Sequence, residues 1–345
     1  MAVTGSGKVA GSVSGGCLEE DLVRKARWLT ESGAVVRRYD TTPDGEIAAE
    51  YGLGCNGIIH VLLERVKKGQ AAVLDLIEEV RSERRPAAVA HVLSPASAAG
   101  QRLVIGTRGH RSSNISDAGL AARLEKEAEA ALLEGHSRGV RLETGEEAFV
   151  ETLAPAVHLL VFGAGDDAVP LTNLANSLGW RVSVFDGREH YARREKFPAA
   201  AEVAVVPAGR LGGRARIDAW TAAVLMSHSY SQDLENLREL AAQPLRYLGI
   251  LGPRKRTVEL LADAGLNAAE NLEALHSPMG LDIGADGPEQ VALSVVAEIQ
   301  ATLNGRQGGL LRDRQGPIHA PGDAASDAEV NQSSTRARVR SIVCA

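Results

Sequence analysis

The sequence predicts an α/β protein in which an N-terminal α/β domain over residues 1–150 precedes a parallel-sheet domain over residues 157–305. Three observations carry this reading. Across the C-terminal half, short apolar runs alternate with longer stretches of helical spacing, the pattern of strands joined by helical crossovers. The run HLLVFGAGDDAVPL sets a strand, a glycine turn and a helix start in immediate succession. Near the N-terminus, KVAGSVSGGCLEEDL repeats that arrangement once.

In chain order, Val9 to Val13 reads as a strand, Gly15 and Gly16 as a turn, and Leu18, Leu22, Ala26 and Leu29 recur at helical spacing up to Gly33. Val35 to Tyr39 reads as a second strand, Ile47 to Tyr51 as a short helical piece, and Ile58 to Leu63 as a further strand. A helix over Ala71 to Arg81, a hairpin from Ala87 to Ile105, a helix near Leu120 to Leu133 and a strand near Val140 to Leu142 extend the domain. Residues 151–156, with Pro155, read as a linker because a more regular alternation begins after them.

Beyond the linker, strands are expected at His158 to Phe162, Arg181 to Phe185, Glu202 to Val206, Ala222 to Met226 and Arg246 to Leu251. Gly163, Gly165 and Ala168 stand in GxGxxA spacing between the first strand and its helix, and Asp186 ends the next strand. This is the dinucleotide-binding fingerprint in its full context, so the domain is expected to be Rossmann-like. Gly163 permits the tight turn, Gly165 lets a pyrophosphate approach the backbone, and Asp186 is placed to accept hydrogen bonds from a ribose diol. Asp166 and Asp167 favour the helix dipole but repel a phosphate, so NAD(P) is less strongly indicated than the fold.

Further candidates gather at the expected strand ends. His228 follows one strand, and Gly252, Pro253, Arg254, Lys255 and Arg256 follow another and open a helix. In a parallel sheet these share the carboxyl edge with Gly163 and Asp186. Cations at a helix N-terminus oppose its dipole, a cost that an anionic ligand would relieve, although a solvated basic turn explains the same residues. His228 reads equally as a surface or capping residue, since one histidine is little sign of a metal. Asp282, between Gly280 and Gly284, precedes an apolar helix opened by Pro288, which suits a ligand-contacting loop or a plain helix entry. Residues 306–345 lack a sustained apolar period and are expected to be disordered, Cys344 with them.

Composition narrows the class. A formal charge of -6 argues against a nucleic-acid partner, which needs a clustered positive surface. Three cysteines are too few and too odd in number for a disulfide framework, which points to a reducing compartment and the cytoplasm. No stretch approaches the roughly 18 apolar residues of a membrane span, and the first residues lack the apolar core of a signal peptide.

Two of the cysteines sit in glycine-flanked turns, Cys17 after Gly15 and Gly16, and Cys55 after Gly54. Glycine removes bulk that would keep a ligand from the backbone. A helix N-terminus at Cys17 lowers a thiol pKa from its usual value of about 8.5, which Glu19, Glu20 and Asp21 oppose. Two buried structural cysteines are the alternative. A zinc site is poorly supported, for there is no CxxC or local Cys/His pair.

Taken together, GSVSGGCLEE, GLGCNG, GAGDDAVPL, SHSYSQDL, LGPRKRT and GLDIGADGPEQVALSVVAEIQA resemble the XdhC and CoxI family, the xanthine dehydrogenase accessory factors, over residues 1 to about 317. The resemblance implies a chaperone rather than a turnover enzyme, one that binds the molybdenum cofactor, as molybdopterin or its dinucleotide, and assists its sulfuration. It implies delivery to an apo-molybdenum hydroxylase of the xanthine dehydrogenase or aldehyde/CO dehydrogenase type, and it admits a cysteine desulfurase as sulfur source. By position, Gly15, Gly16, Cys17, Gly54 and Cys55 become candidate contacts to the cofactor, the two thiols as soft ligands to molybdenum or its sulfur. Gly163, Gly165, Asp186, His228, Gly252, Arg254, Lys255 and Asp282 complete the expected binding set.

Two departures from the family pattern stand out. Tyr230 replaces the second histidine of a THDH-type motif at His228, and the pair Asp166 and Asp167 departs from the commoner GAGH opening. Family members also carry strands and a helix before the segment that opens this chain. A truncated domain would expose a sheet edge, which predicts poor solubility or oligomerisation, the latter as a homodimer. The competing class is an NAD(P)-dependent oxidoreductase with His228 as acid or base. It lacks a substrate constellation. A third reading is a scaffold with a relic nucleotide site.

Overall fold

The computed structural model describes residues 1–13, 17–40, 58–66, 72–266, 274–315 and 338–344. The chain divides into two compact units, Met1–Pro155 with Glu329–Ala345, and Ala156–Ala328.

Among the described residues the first unit holds two sheets. One has the order β2-β1-β16-β4-β3, from β1 (Ala2–Thr4), β2 (Gly7–Ala10), β3 (Val35–Asp40), β4 (Ile58–Arg65) and the last strand of the chain, β16 (Arg338–Cys344). Helix α1 (Cys17–Leu29) places Leu18, Leu22 and Ala26 one turn apart, and they bury against Tyr39, Val61 and Leu63. The strand expected at Val9 to Val13 is instead a hairpin of β1 and β2 that ends at Ala10. Gly11 stops it with φ +76, where an added Cβ would lie 3.1 Å from Met1 Cα. The helical piece expected at Ile47 to Tyr51 lies outside the described residues.

The second sheet is antiparallel throughout, in the order β7-β6-β5-β9-β8, with β5 (Ala87–Ser94) at its centre. Around it lie β6 (Arg102–Ile105), β7 (Arg111–Ser113), β8 (Arg138–Arg141) and β9 (Glu147–Leu153). Helix α2 (Ala72–Glu83) packs Leu76 and Val80 with Ala87 and Val89, while α3 (Ala118–Glu134) packs Leu120, Leu124, Ala128 and Ala131 with Ala88, Ala90 and Val92. Every residue of β5 from Ala87 to Leu93 is buried, as befits a strand covered on both faces. Part of the expected linker is strand: Glu151, Thr152 and Leu153 pair with Val89, Ala88 and Ala87. The alternation in EAFVETL, which buries Ala148 and Val150, carries the strand past the point where the pattern was expected to break.

The second unit is Rossmann-like, as its strand and helix alternation predicts. Six parallel strands run in the order β12-β11-β10-β13-β14-β15. They are β10 (His158–Phe162), β11 (Arg181–Asp186), β12 (Glu202–Val205), β13 (Thr221–Leu225), β14 (Tyr247–Ile250) and β15 (Leu275–His276). Both faces are covered, which is why β10 and β13 are apolar without alternation. On one face α4 (Ala168–Ser177) and α7 (Pro288–Leu303) bury Leu171, Ala175, Val295 and Ile299 with Val161 and Val224. On the other α5 (Tyr230–Leu240) and α6 (Arg254–Ala264) bury Leu237, Leu240, Leu260 and Leu261 with Leu160 and Leu225.

At its described end the tail departs from expectation. Residues 338–344 form β16, parallel to both β1 and β4. Val339, Ile342 and Val343 are β-branched, and such residues favour a pleated strand over coil.

Candidate functional site

The chain leaves β10 for β11 on one side and later returns to β13 on the other, so the crevice beyond the β10 and β13 ends is the switch point where ligands enter such sheets. Gly163 makes it possible. Its φ is +126, its N–H donates to Phe185 O at 2.8 Å, and an added Cβ would lie 2.4 Å from Met226 O. The loops after β10 and β13 thus touch backbone to backbone at a position with no side chain.

Asp186 follows on the neighbouring strand, and the structure gives it a different task from the one expected. Oδ2 accepts from Ala164 N at 2.9 Å and from Arg188 Nη2 at 2.9 Å, while Oδ1 accepts from Arg188 N and Nε, each at 2.9 Å. Its side chain is fully buried. Burial pushes the carboxyl up, but the Arg188 guanidinium and the two N–H donors outweigh it and hold it below the ordinary carboxylate value. With both oxygens engaged inside the protein, Asp186 offers no free acceptor to a ribose diol. It fixes the Gly163 turn instead.

The two aspartates expected to repel a phosphate are each paired. Asp166, almost fully exposed, meets Lys196 Nζ at 2.8 Å, and that ammonium also donates to Ala164 O at 2.8 Å. The contact holds the Asp166 carboxyl below its usual value. Asp167 makes no cap to α4. Its Oδ2 meets His228 Nε2 at 2.7 Å, and its Oδ1 would lie 2.4 Å from a Cβ on Gly165. The carboxylate therefore lies over the face of Gly165 that the fingerprint leaves bare for a pyrophosphate. His228 reaches it from the loop after β13 with φ +55, a left-handed backbone that costs a non-glycine residue roughly 1–2 kcal/mol. Ser229 rather than His228 caps α5, accepting from Gln232 N.

Behind His228 lies a buried hub. Asp233 accepts from Ser227 Oγ at 2.5 Å, from Ser227 N at 3.3 Å and from Arg256 Nη2 at 2.7 Å. Arg188 Nη2 donates to Ser227 O at 2.9 Å, so one polar chain runs from Asp186 through Arg188, Ser227 and Asp233 to Arg256. It ties together the loops after β11, β13 and β14. The basic turn is thus divided: Arg256 is internal, while Arg254 and Lys255 at the start of α6 are exposed and carry no ion pair among the described residues. Gly252, at φ +120, lets the chain turn into α6.

Asp282 is exposed. The nearby turn has a packing role, for a Cβ on Gly280 would lie 2.4 Å from Ser294 Oγ. In the other unit Cys17 opens α1. Gly15, Gly16, Gly54 and Cys55 lie outside the described residues. Among the described residues no group of three or more His, Cys, Asp or Glu side chains is placed to hold a metal ion, and no helix is long and apolar enough to cross a membrane.

Arg188, Lys196 and Asp233 are the residues that sequence reasoning missed. Arg188 had a signal, since an arginine two positions after a strand-end aspartate can fold back on it. Asp233 lies within SHSYSQDL, yet its buried position follows from how α5 meets β13. Chemically the crevice is a frame of engaged charges, with free positive charge at Arg254 and Lys255.

Residues 159–299 match the family model described as the XdhC Rossmann domain, and residues 1–40 match that of the XdhC and CoxI family. The chain is 32% identical over 297 residues to a Bacillus subtilis protein named as a probable subunit of xanthine dehydrogenase, covering 86% of this chain and 85% of that protein. It is 26% identical over 307 residues to the Escherichia coli molybdenum cofactor insertion chaperone PaoD, covering 87% of this chain and 76% of that one. A solved chain from Bacillus halodurans, described as a xanthine dehydrogenase, matches with a TM-score of 0.72 at 28% identity, over 88% of this chain and 85% of its own. With a Rossmann-like sheet matched along its length and a relative of this identity aligned over most of both chains, the protein belongs to the XdhC and CoxI family.

Proposed function

We propose that this chain is a maturation factor that binds the molybdenum cofactor as cargo, assists its sulfuration and supports its insertion into an apo-molybdenum hydroxylase of the xanthine dehydrogenase type. The observation that carries the reading is the alignment of 86% of the chain with the Bacillus subtilis relative, joined by a second relative named as a molybdenum cofactor insertion chaperone. Cys17 and Cys55 are the soft contacts in this reading, suited to molybdenum or its sulfur, and a cysteine desulfurase is the sulfur source. The exposed Arg254 and Lys255 suit the anionic phosphate of a pterin cofactor. An oxidoreductase using NAD(P) is disfavoured by geometry, because Asp186 is engaged by Arg188 and Asp167 covers Gly165.

The test is to purify the parent, Cys17→Ala and Cys55→Ala in the presence of a molybdenum cofactor source and to measure bound molybdenum and pterin. The expected result is molybdenum and pterin on the parent and at least about a tenfold loss of molybdenum in each variant, since even an outer-shell partner of a metal ligand is worth about that much. Equal molybdenum in all three proteins defeats the thiol assignment, and none in the parent defeats cargo binding.

A further inference from the structure

The Rossmann crevice combines a nucleotide-binding fingerprint with a carboxylate inside it. Gly163 and Gly165 keep the approach to α4 free of their own side chains, yet Asp167 Oδ1 lies only 2.4 Å from where a Cβ on Gly165 would stand. The same carboxylate is held by His228 Nε2 at 2.7 Å from the opposite lip, the loop after β13. His228 holds this position through a left-handed backbone, φ +55, stabilised from beneath by the Ser227 and Asp233 hydrogen bonds. A strained residue, a buried hub that supports it and a hydrogen bond across the switch point together form a closed latch.

We propose that Asp167 is the specificity-determining residue of this crevice: latched by His228, its carboxylate takes the place of a dinucleotide pyrophosphate and keeps dinucleotides out of a fold that otherwise admits them. The physical basis is twofold. The carboxylate crowds the face of Gly165, with Oδ1 2.4 Å from where a Cβ would stand, and its charge repels a second anion at the same helix end. Asp166, one residue earlier, faces solvent and is drawn to Lys196, so it does not share this position. The inference stands on the crevice geometry, and within the proposed function it leaves this crevice to a cargo that carries no dinucleotide pyrophosphate.

The test uses the full chain and two probes, inorganic pyrophosphate and NADH, titrated by calorimetry against the parent, Asp167→Ser and His228→Gly. Glycine accepts the left-handed backbone at residue 228, and circular dichroism melts establish that each variant is folded. Asp167→Ser is expected to bind both probes at least about tenfold more tightly than the parent, the scale of removing one close like charge. His228→Gly is expected to gain in the same direction by releasing Asp167. A folded Asp167→Ser no tighter than the parent overturns the proposal, and a gain in Asp167→Ser with none in His228→Gly overturns the latch. Molybdenum content measured on the same samples reports on cargo binding separately.

Discussion

Asp186 shows how a side chain can occupy a ligand-binding position and serve the fold. Both of its carboxylate oxygens accept from within the protein, from Ala164 N, Arg188 N and the Arg188 fork. Replacing it by asparagine keeps the shape and loses the charge-assisted bonds, at a cost of about 2 kcal/mol near neutral pH. Because the folded carboxyl titrates below its unfolded value, the stability it contributes is complete above about pH 4 and is lost as the pH falls through the folded pKa. Melting curves of the parent and Asp186→Asn should therefore differ most near neutrality and converge in acid, and a gap that stays constant through that range contradicts the assignment. The position of Asp186 was legible in the sequence because strand, glycine turn, helix and second strand fix it. Its partner was not, since Asp-Gly-Arg is equally an exposed turn until a buried strand end draws the guanidinium back.

Among the elements, the edge formed by β14, β15 and α7 rests on one partly buried carboxylate. Glu298 Oε2 accepts from Tyr247 Oη at 2.5 Å and from Gly280 N at 2.7 Å, and Oε1 lies 3.2 Å from His276 Nδ1. Burial pushes Glu298 up, but these three partners hold it below its ordinary value. Burial and the neighbouring carboxylate push Tyr247 well above its own, so its hydroxyl stays a donor. Tyr247→Phe is expected to lower stability by about 2 kcal/mol, read as a lower urea midpoint at unchanged slope. An unchanged midpoint would show that the contact contributes nothing net. Long, strongly patterned elements such as β5, α3 and β10 were legible because their apolar spacing alone specifies them. The two-residue β15 had no periodicity to read, and β16 takes its place from pairing with β1 and β4, contacts remote in sequence.

For the molecule as a whole, the C-terminal unit is a nucleotide-type fold whose crevice is filled by its own charges, and the N-terminal unit carries Cys17 at the start of α1. The sequence was most informative where local rules suffice, as in the glycine spacing after β10, and least where distant segments meet, as in the hub of Asp233 and Arg256. The family reading turns on six motifs spread along the chain, and that spread is why it survives the revised roles of Asp186 and Asp167. The measurement that tests the central claim most directly is transfer. The protein, loaded with molybdenum cofactor, is mixed with an apo-molybdenum hydroxylase and separated from it, and molybdenum in each fraction is counted by mass spectrometry. The account predicts that molybdenum moves to the hydroxylase together with the onset of its activity. Molybdenum that stays with this protein, beside a hydroxylase that remains metal-free and inactive, would contradict it.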